Sequence, residues 1–230
     1  MSYEPRPPFR PDRVPLYPVH ITAGPVVLAG DLALPPRTTG LVLFAHGSGS
    51  SRHSLRNQWV ARRLQQAGCG TLLFDLLTPG EETTDAHNGH LRFDIGMLAD
   101  RLQAATLWAG EEIQTRDLAM GFFGASTGGA AALVAAARLG PVVRAIVSRG
   151  GRPDLAGDAL REVVSPTLLI VGERDEVVRD LNARASRLIP AEAKLVVVPG
   201  ATHLFEEPGT LEQVAELATA WFRQHLTPPR

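Results

Sequence analysis

The feature that most narrows the fold of this chain is a series of short, unbroken apolar runs separated by helical patterns. Leu41–Ala45 (LVLFA), Thr71–Phe74, Leu118–Phe123, Val143–Val147, Thr167–Val171 and Leu195–Val198 form the series. A continuous apolar run of that length marks a strand covered on both faces, whereas a half-exposed strand alternates. Between the runs, Leu55, Trp59, Val60 and Leu64 recur at helical spacing before Gly68. Ile95–Ala109, the Ala-rich Gly129–Leu139, Asp180–Leu188 and Leu211–Leu226 read as further helices. Strands alternating with helices predict an α/β fold with a mostly parallel sheet and helices on both faces. Upstream, Val19–Thr22 and Val26–Leu34 flank Ala23-Gly24-Pro25 and read as an antiparallel pair. Residues 1–17 are Pro-rich and aperiodic and read as an extended arm, leaving 18–230 as a single domain. Thr78–Asp94 and Ser148–Ser165 lack pattern and read as irregular connections.

The chemistry concentrates at the ends of those strands. Gly124-Ala125-Ser126-Thr127-Gly128 matches G-x-S-x-G between a strand and a helix, the setting in which a tight turn exposes a serine hydroxyl. The bland alternative is a close-packed glycine turn. A serine becomes nucleophilic only with a base that is itself oriented by a third group. In the chain order Ser, acid, His, the candidates are Asp175, after the strand Thr167–Gly172, and His203, after Leu195–Val198. Asp175 alone also fits a helix N-cap, Glu173 and Glu176 are rivals for the acid role, and His203 alone also fits a surface histidine. Two backbone amides are expected to hold the oxyanion: Thr127, after the nucleophile, and Ser48, in His46-Gly47-Ser48-Gly49 after the strand Leu41–Ala45. That loop would alternatively suit a phosphate, although no lysine follows as in a P-loop. His46 and Arg149 are the candidate substrate contacts, Arg149 through a substrate carboxylate. Asp85, His87, His90 and Asp94 resemble a ligand cluster, but their polar, patternless setting favours a solvated loop, so no metal is expected.

Composition excludes several classes. The 23 basic and 24 acidic residues nearly cancel, leaving no electrostatic footprint for nucleic acid or an anionic membrane. The uncharged run between Asp117 and Arg138 is dominated by Gly and Ala and splits into a strand-like and a helix-like half, so a membrane span is not expected. The N-terminus has no apolar core of a signal peptide, and the single cysteine, Cys69, cannot form an internal disulfide. A cytoplasmic protein is expected, monomeric or homodimeric, without cofactor, acting on a small-molecule ester.

HGSG at 46–49, GASTG at 124–128, GERD at 172–175 and PGATH at 199–203 together resemble an α/β-hydrolase over about Val19 to Leu226. The pattern is most similar to small, capless dienelactone-hydrolase-like proteins, compact eight-stranded hydrolases of esters and lactones. The resemblance implies Ser126 as nucleophile, His203 as base and Asp175 as its orienter. True dienelactone hydrolases carry a cysteine nucleophile, so Ser126 favours a general carboxylesterase; a lactonase with the same site and a non-catalytic binding module are the alternatives. The interval Ser148–Ser165 is too short for a helical cap, which points to short acyl groups.

Overall fold

In the computed structural model, which describes residues 14–226, eight strands form one sheet in the order β1-β2-β4-β3-β5-β6-β7-β8. β1 (Leu16–Ala23) and β2 (Val26–Ala33) are antiparallel, and β2 pairs antiparallel with β4 (Gly70–Phe74). From there β4, β3 (Leu41–Ala45), β5 (Met120–Ala125), β6 (Val143–Arg149), β7 (Thr167–Gly172) and β8 (Ala193–Val198) are parallel neighbours. The central strands are buried along their length, as their unbroken apolar runs require. The Leu16–Ala23 strand takes in two residues expected to belong to the arm; residues 1–13 lie outside the described residues.

Alternation along each strand sorts the core into two layers. Val42, Phe44, Phe123, Ala145 and Val147 face α1 (Leu55–Gln66) and α6 (Thr210–Leu226). Leu41, Leu43, Phe122 and Ile146 face α3 (Ile95–Glu111) and α4 (Thr127–Leu139), where Ala185 of α5 (Glu176–Ala185) also packs. The Ala-rich face of α4 brings that helix close to the sheet: Ala130 to Ala136 are almost entirely buried. Phe44 and Phe123 stack with ring centroids 4.9 Å apart. Cys69 is buried, which pushes its thiol pKa up and suits a small core residue.

Two expectations require correction. Thr78–Asp94 is not irregular: Pro79–Asn88 forms α2, an exposed helix lacking the apolar face that periodicity detects. Its signal lies at the start instead. The Thr78 hydroxyl accepts from the Glu81 amide while Glu81 accepts from the Thr78 amide, with Pro79 at the first position. Ser148–Ser165, with room for at most one helix around Asp158–Val164, holds a 3₁₀ segment that begins earlier, Pro153–Glu162, interrupted at Gly157, where φ is 55°. No cap domain covers the strand ends there. Among the described residues no helix is long and apolar enough to cross a membrane.

Phe222 shows how closely α6 packs. It is fully buried, and a Cβ on Gly121 of β5 would come within 2.9 Å of its ring. Phe222→Ala is expected to lower the unfolding free energy by about 3–5 kcal/mol in urea titration. Leu107→Ala, on an exposed face, is expected to stay within about 0.5 kcal/mol of the parent protein.

Candidate active site

Ser126 stands between β5 and α4 with φ 53° and ψ −121°, a conformation that a residue with a Cβ adopts only when its surroundings force it. The surroundings do so from several sides. The Ser126 amide donates to the Arg149 carbonyl at 3.2 Å, and the Ser126 carbonyl accepts from the Gly129 and Arg152 amides at 3.0 and 3.1 Å. The flanking glycines leave no room for side chains. A Cβ on Gly124 would lie 2.5 Å from the Gly128 carbonyl oxygen, and one on Gly128 only 2.1 Å from that of Ala45. The turn is therefore tight enough to hold its serine in the strained conformation.

At the end of β7, Asp175 occupies the N-cap position of α5, yet its carboxylate makes no capping bond. It instead accepts from His203 Nδ1 at 2.6 Å. That placement separates the acid role from the helix-cap alternative. The other ring nitrogen, Nε2, belongs to a side chain that is 38% exposed. The rival acids have other work: Glu173 accepts from the Gly200 amide at 2.8 Å, and Glu176 lies in the first turn of α5. Glu207 accepts from the Thr202 amide, and that bond holds its carboxyl below the ordinary range. Glu173 and Glu207 thus brace the loop bearing His203 on either side. Gly150 completes the link to the serine turn, since a Cβ there would lie 3.4 Å from His203 Nδ1.

The loop after β3 is fixed by His46. Its Nε2 accepts from the Leu76 amide at 2.9 Å, so Nδ1 carries the proton and donates to the Gly47 carbonyl at 3.0 Å. Burial pushes its pKa below the ordinary value, against opposing effects of the Gly47 bond and the Asp75 charge. His46 therefore borders the site, but both its nitrogens bond to backbone rather than being offered to substrate. The Ser48 amide is also engaged: it donates to Thr127 Oγ1 at 2.9 Å. Beside these residues lies a cavity of about 300 Å³ whose wall includes Thr127, Leu77 and Leu98 together with Glu82, Asp85 and Arg92. α2 and the residues after it thus form part of that wall.

Arg149, like Ser126 and His203, is not among the residues that line the cavity. Its side chain follows Ala145 and Val147 toward the α1 and α6 layer and lies 6.0 Å from the Phe205 ring centroid. Burial, with the nearby Arg56 charge, lowers its pKa to about 10, so it remains charged at neutral pH. The supposed ligand cluster is dispersed. Asp85 is buried and binds Arg92, Asp94 caps α3 through the Met97 amide, and His87 and His90 are exposed.

Residues 29–226 match the dienelactone hydrolase family. A crystal structure of a dienelactone hydrolase from Anabaena variabilis is 55% identical, with a TM-score of 0.91, over 93% of this chain and 99% of that one. An esterase domain from Rhodothermus marinus shares the fold at 21% identity and a TM-score of 0.72, over 92% of this chain and 99% of that one. Two Mycobacterium tuberculosis proteins, from different strains and provisionally named phosphoribosyl transferases, are 59% identical over 97% of this chain. The chain spans about half the length of those curated relatives, 48% of each.

His46 ties the site to acid stability. Its folded pKa lies below the ordinary 6.5, so the unfolded chain binds a proton more readily than the folded one. Stability from this residue is complete above pH 6.5 and is lost as the pH falls through the interval below it. Urea midpoints are expected to decline from pH 7 to 5, and His46→Gln to flatten that decline. His225, which burial shifts in the same direction, accounts for part of what remains.

Proposed function

The chain belongs to the dienelactone hydrolase family, and from that premise we propose a serine hydrolase of small carboxylic esters. The observation that carries this reading is the Asp175–His203 hydrogen bond, made by a carboxylate that leaves its helix cap uncapped, at the sheet end holding the strained Ser126. Ser126 Oγ attacks the ester carbonyl while His203 Nε2 takes its proton, and Asp175 holds the ring in the required tautomer. The amide of Thr127, at the start of α4, faces the oxygen on which charge develops, supported by the loop after β3. His203 then returns the proton to the leaving alcohol. Water, activated by the same nitrogen, releases the acyl group and restores the serine.

A lactone is an internal ester, and the same residues would open it. The name of the 55% identical Anabaena protein favours this second reading of the substrate. The transferase name stays with relatives about twice as long. For the acyl group, the cavity offers Leu77 and Leu98 as its hydrocarbon side chains, against Glu82, Asp85, Arg92 and Ser48 to Ser51. Each methylene gains about 0.8 kcal/mol only where apolar surface covers it. Short acyl groups suit this wall best.

A fluorophosphonate probe is expected to label the parent protein at Ser126 and to leave Ser126→Ala unlabelled; an unlabelled parent would remove the catalytic reading. Asp175→Asn is expected to reduce kcat by about 10⁴, with Glu173→Gln and Glu176→Gln far milder. Equal losses in all three variants would mean that the carboxylate was misassigned. Across p-nitrophenyl esters, kcat/KM is expected to peak between acetate and butyrate. A rise that continues to laurate would reveal an apolar channel.

A further inference from the structure

The Ser48–Thr127 contact bears on how the oxyanion is held, and the following rests on the serine-hydrolase reading above. The expected second donor, the Ser48 amide, points at Thr127 Oγ1 at 2.9 Å. A hydroxyl that accepts this bond keeps its own proton to donate. Thr127 is 3% exposed, lines the cavity, and is the first residue of α4, where amide groups have no partner within the helix. Its amide and hydroxyl are three bonds apart, so both reach one oxygen placed at the start of the helix.

We propose that Thr127 supplies both donors of the oxyanion hole, its backbone N–H and its side-chain O–H, while the Ser48 amide serves the hydroxyl. The Ser48 N–H takes one acceptor position of Oγ1, so the hydroxyl proton is left to donate elsewhere, and Thr127 lines the cavity. Donation into Oγ1 also polarises the O–H bond, making it a stronger donor as negative charge develops on the substrate oxygen. Donors fixed before the reaction require no reorganisation as the tetrahedral intermediate forms. As Ser126 Oγ bonds to the carbonyl carbon, the carbonyl π pair moves onto oxygen, which both Thr127 donors then hold. When the intermediate collapses, the pair returns and the alcohol departs with the proton from His203. The hydroxyl keeps its own proton throughout. Gly47 belongs to the same device. A Cβ there would press on the Ala125 carbonyl and Ser126 Cβ at 3.1 Å, so its absence lets the loop lie close enough for Ser48 to reach Thr127.

The test compares Thr127→Val, close in shape and lacking the hydroxyl, Thr127→Ala, which cannot clash, and Thr127→Ser, which keeps the hydroxyl. The substrate is p-nitrophenyl acetate, and inhibition by a trifluoromethyl ketone, whose hemiketal resembles the intermediate, is measured in parallel. Val and Ala are expected to lose 10²–10³ in kcat with KM little changed, as for removal of one oxyanion donor. Trifluoromethyl ketone affinity should fall with them, and Ser should stay within about tenfold of the parent. An unchanged or faster Val or Ala variant would overturn the proposal, because the hydroxyl would then be idle or would be blocking the Ser48 amide. Losses confined to KM would overturn it too. If Val fails to fold, Ala decides. A parent protein that neither turns over esters nor labels at Ser126 would instead overturn the underlying reading, and this one with it.

Discussion

Gly128 lies against the carbonyl oxygens of Ala45 and His46 so closely that a Cβ would fall 2.1 and 2.5 Å from them. This approach of the first turn of α4 to the end of β3 governs the rest of the site. It places the start of the helix, with its unpaired amides and partial positive charge, beside the loop that carries Ser48. It also forces the chain between β5 and α4 into so sharp a corner that Ser126 takes a positive φ. The strain at Ser126 is of order 1–3 kcal/mol. It is sustained because β5 is paired on both sides, with β3 and with β6, and because the Ser126 amide and carbonyl are both bonded.

His203 stands on a second, independently braced corner. A Cβ on Gly172, at the end of β7, would lie 2.4 Å from the Ala201 carbonyl oxygen, so this strand end and the His203 loop also meet backbone to backbone. The Arg174 amide donates to that carbonyl at 2.9 Å, while Glu173 and Glu207 hold the Gly200 and Thr202 amides. Phe205, buried with φ 55°, turns the chain back under the loop. With the loop held by its backbone, the Asp175–His203 bond is left to orient the ring rather than to support the fold. Orientation and stability therefore reside in different residues.

Much of this was legible because it depends on covalent order and local sterics. Buried strands announce themselves as apolar runs, and G-x-S-x-G after such a run specifies a turn with few backbone solutions. Asp175 and His203 stand after two successive strands, and the structure brings their side chains into contact. What remained hidden depends on partners distant in sequence. Whether Asp175 caps a helix or binds His203 is decided by a loop 28 residues away. The turn of Arg149 into the α1 and α6 layer follows from sheet alternation once the register is known. The engagement of Ser48 with Thr127 spans 79 residues and has no local signature. α2 was a different kind of omission. Its capping box was present as Thr78-Pro79-Gly80-Glu81, but a search for apolar periodicity passes over a helix with almost nothing to bury.

That helix shows which part of the cavity wall rests on few buried contacts. α2 contributes Glu82 and Asp85 to the cavity wall yet buries little beyond Asp85. Charge and caps hold it in place: Asp85 binds Arg92, Glu81 binds Arg101 of α3 at 2.7 Å, and Gly89 ends it in a left-handed conformation. The serine and histidine corners depend on backbone contacts closed to a Cβ, so substitution there disturbs the strands themselves. On α2 most side chains face solvent or the cavity, and replacing one alters the wall rather than the core. Ser126 and His203 are thus fixed to the sheet by contacts that admit only glycine, while the α2 wall of the neighbouring cavity rests on an element attached by polar bonds. If Ser126, His203 and Asp175 act as proposed, substitutions on α2 change the wall of the neighbouring cavity while leaving those three residues in place.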